Sequence, residues 1–196
     1  MISKIIVASN NKNKIREIKA KLAGLDIEVL SQREAGFDIE VDETGTTFEE
    51  NSMLKAKAIY ELAKNPVIAD DGGLEVDFLN GEPGVYSARF CGPDATDKDK
   101  YMKILEMMKD VPDEKRTARF RCIISYIDEN GKEHAFEGIC NGKIAYEPMG
   151  ENDFGYDPIF VVGDKSFAQI SEEEKNKISH RGRAIDKWVE YLKGIK

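Results

Sequence analysis

The sequence predicts an α/β fold in which short buried strands alternate with amphipathic helices. Three observations carry that expectation. Lys4–Ala8 is a continuous, mostly β-branched apolar run of strand length. Ile15, Ile18, Ala20, Leu22 and Ala23 follow at roughly helical spacing. Asp26–Leu30 then alternates, and Val67–Ala69 is again short and apolar, so strands separated by helices recur early, the pattern of βαβ units.

The elements can be justified in order. The first strand breaks into Ser9-Asn10-Asn11-Lys12-Asn13-Lys14, which opens the first helix. An acidic stretch runs from Asp38 to Glu50, and within it Thr46 with Glu49, and Thr47 with Glu50, both match a helix-starting capping box. That helix should reach about Lys64 and stop before Asn65-Pro66. The third strand, Val67–Ala69, ends in Asp70-Asp71-Gly72-Gly73. Thr96 and Asp97 cap a helix carrying Tyr101, Met102, Ile104, Leu105 and Met108. Ala118–Ile127 and Glu133–Ala145 alternate as two long strands around the turn Asp128-Glu129-Asn130-Gly131. This hairpin, around residues 116–146, either extends the central sheet or contributes to a second lobe. Pro158–Val162 reads as a strand, Glu172–Lys177 as a short helix, and Ser179 caps a last helix to about Lys193 that packs through Trp188, Val189 and Leu192.

Composition narrows the function classes. At 196 residues the chain can bury one substantial core or form a single two-lobed domain over 1–196. Its 41% apolar and 34% charged residues are those of an ordinary globular protein. No apolar run approaches the roughly 20 residues that span a bilayer, and the N-terminus lacks a signal peptide's pattern, so a cytoplasmic protein without a membrane partner is expected. Cys91, Cys122 and Cys140 form no CxxC pair, which argues against zinc and dithiol chemistry. A net charge of −8 argues against a nucleic acid polymer as partner, while a local basic pocket for a small anion remains compatible.

Several segments can carry chemistry. Ser9–Lys14 brings hydroxyl, amide and ammonium donors to a helix N-terminus, where unpaired N–H groups and the dipole favour phosphate; the competing reading is an ordinary N-cap. Asp70 and Asp71 stand at a strand end, where open α/β sheets usually place ligands. Adjacent strand residues point to opposite faces, so one of the two should face a given site. A carboxylate there can hold Mg²⁺ or take a proton from water; the competing reading is a turn. On the helix from Thr47, the inward stripe reads Phe48, Asn51, Lys55, Ile59, Leu62, placing an amide and a cation on the buried face. The alternative rotates the helix to bury Leu54 and Ala58. Phe154-Gly155-Tyr156-Asp157 can stack a flat base and hydrogen-bond its edge; the competing reading is an aromatic loop packed on the core. Lys175, Lys177, His180, Arg181 and Arg183 cluster where the last two helices meet, with Lys175 and Arg183 read as a solvated face.

Taken in order, these segments resemble the inosine triphosphate pyrophosphatase family. The likeness runs nearly end to end through Ala8–Lys14, Glu43–Asn51, Lys55-Ala56, Ala69–Leu74, Pro83–Arg89, Phe154–Pro158 and Glu174–Arg181. The resemblance implies a long twisted mixed β-sheet flanked by helices, two lobes around a central nucleotide-binding cleft, and a homodimer. It implies hydrolysis of non-standard purine nucleoside triphosphates (ITP, dITP, XTP) to the monophosphate and pyrophosphate, with Mg²⁺ as cofactor. Phosphate binding falls to Ser9, Asn11 and Lys14 within the Ser9–Lys14 loop (Asn10, Lys12 and Asn13 included), with Lys55 assisting. Asp71 becomes the general base and a metal partner, with Asp70, Glu43 or Glu50 as further acidic ligands. Phe154, Gly155, Tyr156, Asp157, Lys177, His180 and Arg181 would form the base pocket. Two positions depart from the family pattern. Gly72 stands where a serine is usual, leaving its backbone N–H for any substrate contact, and Asn152-Asp153 replace a usual Gly-Gly. The rival readings are a Maf-like pyrophosphatase for modified pyrimidine triphosphates and a non-catalytic nucleotide sensor.

Overall fold

A computed structural model describes residues 3–194. Its strands are β1 (Lys4–Val7), β2 (Glu28–Ser31), β3 (Val67–Val76), β4 (Thr117–Ile127), β5 (Glu133–Ile144), β6 (Phe160–Val162) and β7 (Lys165–Ser166). Its α-helices are α1 (Lys12–Leu22), α2 (Phe48–Ala63), α3 (Asp97–Met107), α4 (Glu172–Ile178) and α5 (His180–Gly194). The sheet order is β2-β1-β3-β4-β5-β6-β7. β1 runs parallel to β2 and β3, whereas β6 is antiparallel to β5 and β7, so the sheet is mixed.

The chain divides into two compact units. Unit one comprises Met1–Asp71, Cys122–Gly138 and His180–Lys196. Successive residues of β1 point to opposite faces of the sheet, and both faces are buried. Ile5 and Val7 pack with Ile18 and Leu22 of α1 and with Ile185 and Trp188 of α5. Ile6 and Ala8 pack instead with Ala56 and Ile59 of α2. Unit two comprises Gly72–Arg121 and Ile139–Ser179, with a core of Leu74, Val76, Ile104, Met108, Phe120, Phe160 and Phe167.

Helix limits follow local chemistry. Of the two capping boxes that the sequence offers for α2, the structure takes Thr47 with Glu50. The helix ends at Lys64 in a left-handed conformation (φ 49°), just before Asn65-Pro66. Its buried face is Phe48, Asn51, Ser52, Ala56 and Ile59, so Asn51 does point inward. Leu62, expected in that stripe, is 53% exposed, because the face drifts around the helix towards its C-terminus. Cys122 and Cys140 are buried free thiols, and Cys91 is exposed.

One element differs from its sequence reading. β3 does not stop at Ala69 but runs on through Asp70-Asp71-Gly72-Gly73 to Val76. Gly73 is there for space rather than for a turn. A Cβ on Gly73 would lie 2.2 Å from Ser87 Oγ and 2.6 Å from the Gly84 carbonyl oxygen, so backbone approaches the strand too closely for any side chain. Ser87 Oγ in turn accepts from the Leu74 N–H at 3.0 Å and donates to that carbonyl at 2.6 Å.

Candidate active site

Because β3 is continuous, Asp70 and Asp71 are neighbouring strand residues on opposite faces, and each meets a different set of cations. Within unit one, Asp70 is almost fully buried, and its Oδ2 lies 3.1 Å from Lys14 Nζ and 3.0 Å from Arg181 Nε. The same guanidinium bonds Glu17 through Nη1, and Glu17 is buried too. Burial alone would push the Asp70 carboxyl up. The attraction of Lys14 and Arg181 outweighs it and holds the carboxyl well below the usual range. Burial likewise opposes the charge on Arg181, yet Asp70 and Glu17 keep it firmly protonated.

Asp71 faces a second cluster. Its Oδ1 lies 3.3 Å from Lys55 Nζ, which also donates to Glu43 Oε1 at 2.6 Å. Burial raises the Asp71 carboxyl above its ordinary value, an effect that the charge on Lys55 opposes without cancelling. Its Oδ2 is buried and makes no hydrogen bond, as is also true of Asp70 Oδ1. A desolvated carboxylate with a raised pKa and an open lone pair is poised to accept a proton.

The Ser9–Lys14 loop is built as a helix cap. Asn11 Oδ1 accepts from the Asn13 and Lys14 N–H groups at 3.0 and 3.2 Å, and Ser9 Oγ accepts from the Asn11 N–H at 3.1 Å. A phosphate would reach those amides only by displacing these side chains. Asn10, Asn11 and Lys12 are exposed, while Asn13 and Lys14 are half-buried. α5 brings His180 and Arg181, both buried, to its first turn. It can lie so close because of Gly138 in β5, where a Cβ would stand 1.9 Å from the His180 carbonyl oxygen.

Unit two holds the aromatic segment. Tyr156 is buried, and its hydroxyl donates to the Ser87 carbonyl at 2.8 Å. The Gly155 N–H donates to Asp97 at 2.8 Å, with Gly155 itself in the left-handed region at φ 59°. Asp157 is buried and accepts from Lys175 Nζ at 2.5 Å. That ammonium also lies 4.9 Å from the centre of the half-buried Phe154 ring. Gly72 is half-exposed in β3.

Three sequence assignments change. Lys175, read as solvated, is 4% exposed and forms the ion pair of the aromatic segment. Lys177, expected in the base pocket, points to solvent and pairs with Glu173 one turn back on α4 at 2.7 Å. Two residues of helix turn the chain about 200°, so the two lysines cannot share a face. Glu50, expected among the metal ligands, is exposed and spends its carboxylate on Thr46 and Thr47 at the start of α2. Among the described residues, no group of three or more His, Cys, Asp or Glu side chains is arranged to hold a metal ion. Glu17 was not singled out by sequence reasoning, although the one-turn spacing from Lys14 on α1 was a usable signal.

Comparison with known proteins agrees with this architecture. The family model described as Ham1 family matches residues 5–191. A dITP/XTP pyrophosphatase of Clostridium perfringens is 47% identical over 202 residues, covering 99% of each chain. A dITP/XTP pyrophosphatase of Caldanaerobacter subterraneus is also 47% identical, over 96% of each chain. The solved Ham1 protein of Staphylococcus aureus superposes with a TM-score of 0.89 at 44% identity, over 98% of this chain and 100% of that one. With its sequence and its fold both matched along nearly the whole length, the chain belongs to the Ham1 family.

Proposed function

We propose that this protein hydrolyses non-standard purine nucleoside triphosphates of the dITP/XTP class to the monophosphate and pyrophosphate. The observation that carries the reading is Asp71, a buried carboxylate with a raised pKa and an unpartnered Oδ2, held beside Lys55 and Glu43. The naming of relatives at 47% identity as dITP/XTP pyrophosphatases supports the substrate class.

In this reading Asp71 takes a proton from the attacking water. The water oxygen bonds to the α-phosphorus as the bond to the departing pyrophosphate breaks. Lys55 steadies the carboxylate and offers positive charge to the phosphates, and the Ser9–Lys14 loop contributes Lys14 and its polar side chains. The residues fit Mg²⁺: its preferred ligands are oxygens, and the orphaned Asp71 Oδ2 together with the Glu43 carboxylate would supply two of them, whereas Asp70 lies on the opposite face of β3. When bound, the ion would neutralise phosphate charge as the leaving group departs.

Base recognition is assigned to the aromatic segment of unit two, Phe154, Gly155, Tyr156 and Asp157 with Lys175. Hypoxanthine and xanthine carry a keto acceptor at the purine 6-position that N–H donors can meet. Adenine presents an amino donor there, and donor facing donor in a dry slot rejects it. A cytoplasmic homodimer, implied by the family resemblance, completes the proposal; light scattering in solution tests the dimer. Among the described residues no helix is long and apolar enough to cross a membrane.

The test is pyrophosphate release under Mg²⁺ across dITP, XTP, dATP, dUTP and methylated dTTP, with Asp71→Asn alongside. Turnover of dITP and XTP, lowered by about 10³-fold or more in the variant, is expected for a general base acting with positioned charge. Preference for the pyrimidines would favour the Maf-like reading, and binding without release would favour a sensor.

A further inference from the structure

Asn51 is fully buried on α2, four residues before Lys55 and therefore on the same helix face. A buried amide must place one acceptor and two donors. Its Oδ1 accepts from the Gly45 N–H at 2.7 Å, while its Nδ2 is buried with no hydrogen-bond partner. An apolar side chain of the same size would avoid that unspent donor, so packing alone does not account for an amide here. What the amide secures is the loop. A Cβ on Gly45 would lie 2.6 Å from Asn51 Oδ1 and 2.6 Å from Glu50 Cβ, so the loop rests directly on the helix. Downstream, Glu50 holds the N–H groups of Thr46 and Thr47 at 2.6 and 3.2 Å. Upstream stands Glu43, whose carboxylate meets Lys55 at 2.6 Å.

The chain of contacts therefore closes on itself. α2 holds Gly45 through Asn51, the Gly45 backbone carries Glu43, and Glu43 returns to α2 at Lys55. We propose that Asn51 is a positioning residue for this cluster: by fixing Gly45 it sets Glu43 against Lys55 and thereby sets the surroundings of Asp71. The proposal rests on the assignment of Asp71 as general base.

The experiment compares the full-length protein with Asn51→Leu, which keeps the branched heavy-atom shape and removes the acceptor, and Gly45→Ala, which attacks the same contact from the loop. Amide hydrogen exchange over residues 43–46 and dITP kinetics are read on each, with the double variant completing a cycle. In both single variants, exchange over 43–46 is expected to rise by about tenfold or more. The expected kcat falls by about tenfold or more with KM changed by less than about threefold, and the double variant is little worse than the poorer single one, because both break one contact. Wild-type exchange over 43–46 in Asn51→Leu would overturn the proposal. So would additive losses in the cycle, or a rise in KM alone, which would make Asn51 a substrate contact. If Asn51→Leu does not fold, Gly45→Ala decides by the same readouts. Absence of wild-type turnover would refute the proposed function, while exchange over 43–46 would still decide whether Asn51 holds the loop.

Discussion

Replacing Lys175 by Met should destabilise the protein far more than removing a surface lysine, and the structure sets the size of the loss. The Lys175 and Asp157 side chains are 5% and 4% exposed and meet at 2.5 Å, so neither charge has water to fall back on. Removing one partner of such a pair costs about 3–5 kcal/mol, because the other charge stays buried without its counter-ion. Methionine keeps an unbranched stem beside Phe154 and Phe167, whose ring centres lie 4.9 and 5.8 Å from the ammonium, so little of the loss comes from packing. The double variant Lys175→Met/Asp157→Asn should recover much of the stability, within about 2 kcal/mol of wild type, since both charges leave together. Urea unfolding followed by circular dichroism on the wild type, both single variants and the double variant closes the cycle. A loss below about 1 kcal/mol for Lys175→Met, the range of an exposed pair, would refute the reasoning. Strict additivity across the cycle would refute it equally.

Three further outcomes follow from the geometry. Lys177→Ala should change stability by less than about 0.5 kcal/mol, as surface substitutions usually do, and leave dITP turnover unaltered; a marked loss of activity would restore Lys177 to the base pocket. Gly138→Ala should cost about 3 kcal/mol or more, beyond ordinary overpacking, since the new Cβ would stand 1.9 Å from backbone oxygen in α5; thermal unfolding within a degree of wild type would contradict it. Asp70, held below its unfolded value by Lys14 and Arg181 against the opposing effect of burial, contributes stability that is complete above about pH 4, near the unfolded carboxyl pKa, and is lost as pH falls towards its folded value. Wild type should therefore lose stability more steeply than Asp70→Asn below that point, and parallel acid limbs for the two proteins would be inconsistent with the pairing.

Periodicity made most of the fold legible. Ile5, Ile6 and Val7 announced a two-sided buried strand, and Thr47 with Glu50 announced the start of α2. The end of β3 was not legible, because Asp-Asp-Gly-Gly has turn composition. Its strand conformation goes with its place in the sheet between β1 and β4 and with the close packing of Ser87 and the Gly84 carbonyl on Gly73, neither of which its own residue types announce. The same limit acted on charged residues. Asp71 and Lys55 could be picked out and do meet, but residue type alone could not say which of Lys175 and Lys177 faces inward, since that depends on how α4 is rotated. Glu50 was doubly encoded, as a capping residue and as an acid near other acids, and local hydrogen bonding took it.

The adjacency of Asp70 and Asp71 also guards the fold against a misaligned β3. If the strand slipped by one residue in one direction, Asp71 would take the place beside Lys14 and Arg181, and Gly72 would stand opposite Lys55. A slip the other way would put Asp70 opposite Lys55 and leave Ala69 facing Lys14 and Arg181. Either mistake takes one carboxylate away from a desolvated cation, Lys55 in the first case and Lys14 with Arg181 in the second, a penalty that apolar neighbours such as Ile68 and Ala69 could not impose by themselves. Evolution can therefore lengthen or shorten the loops around this strand more freely than it can insert a residue between Val67 and Asp71.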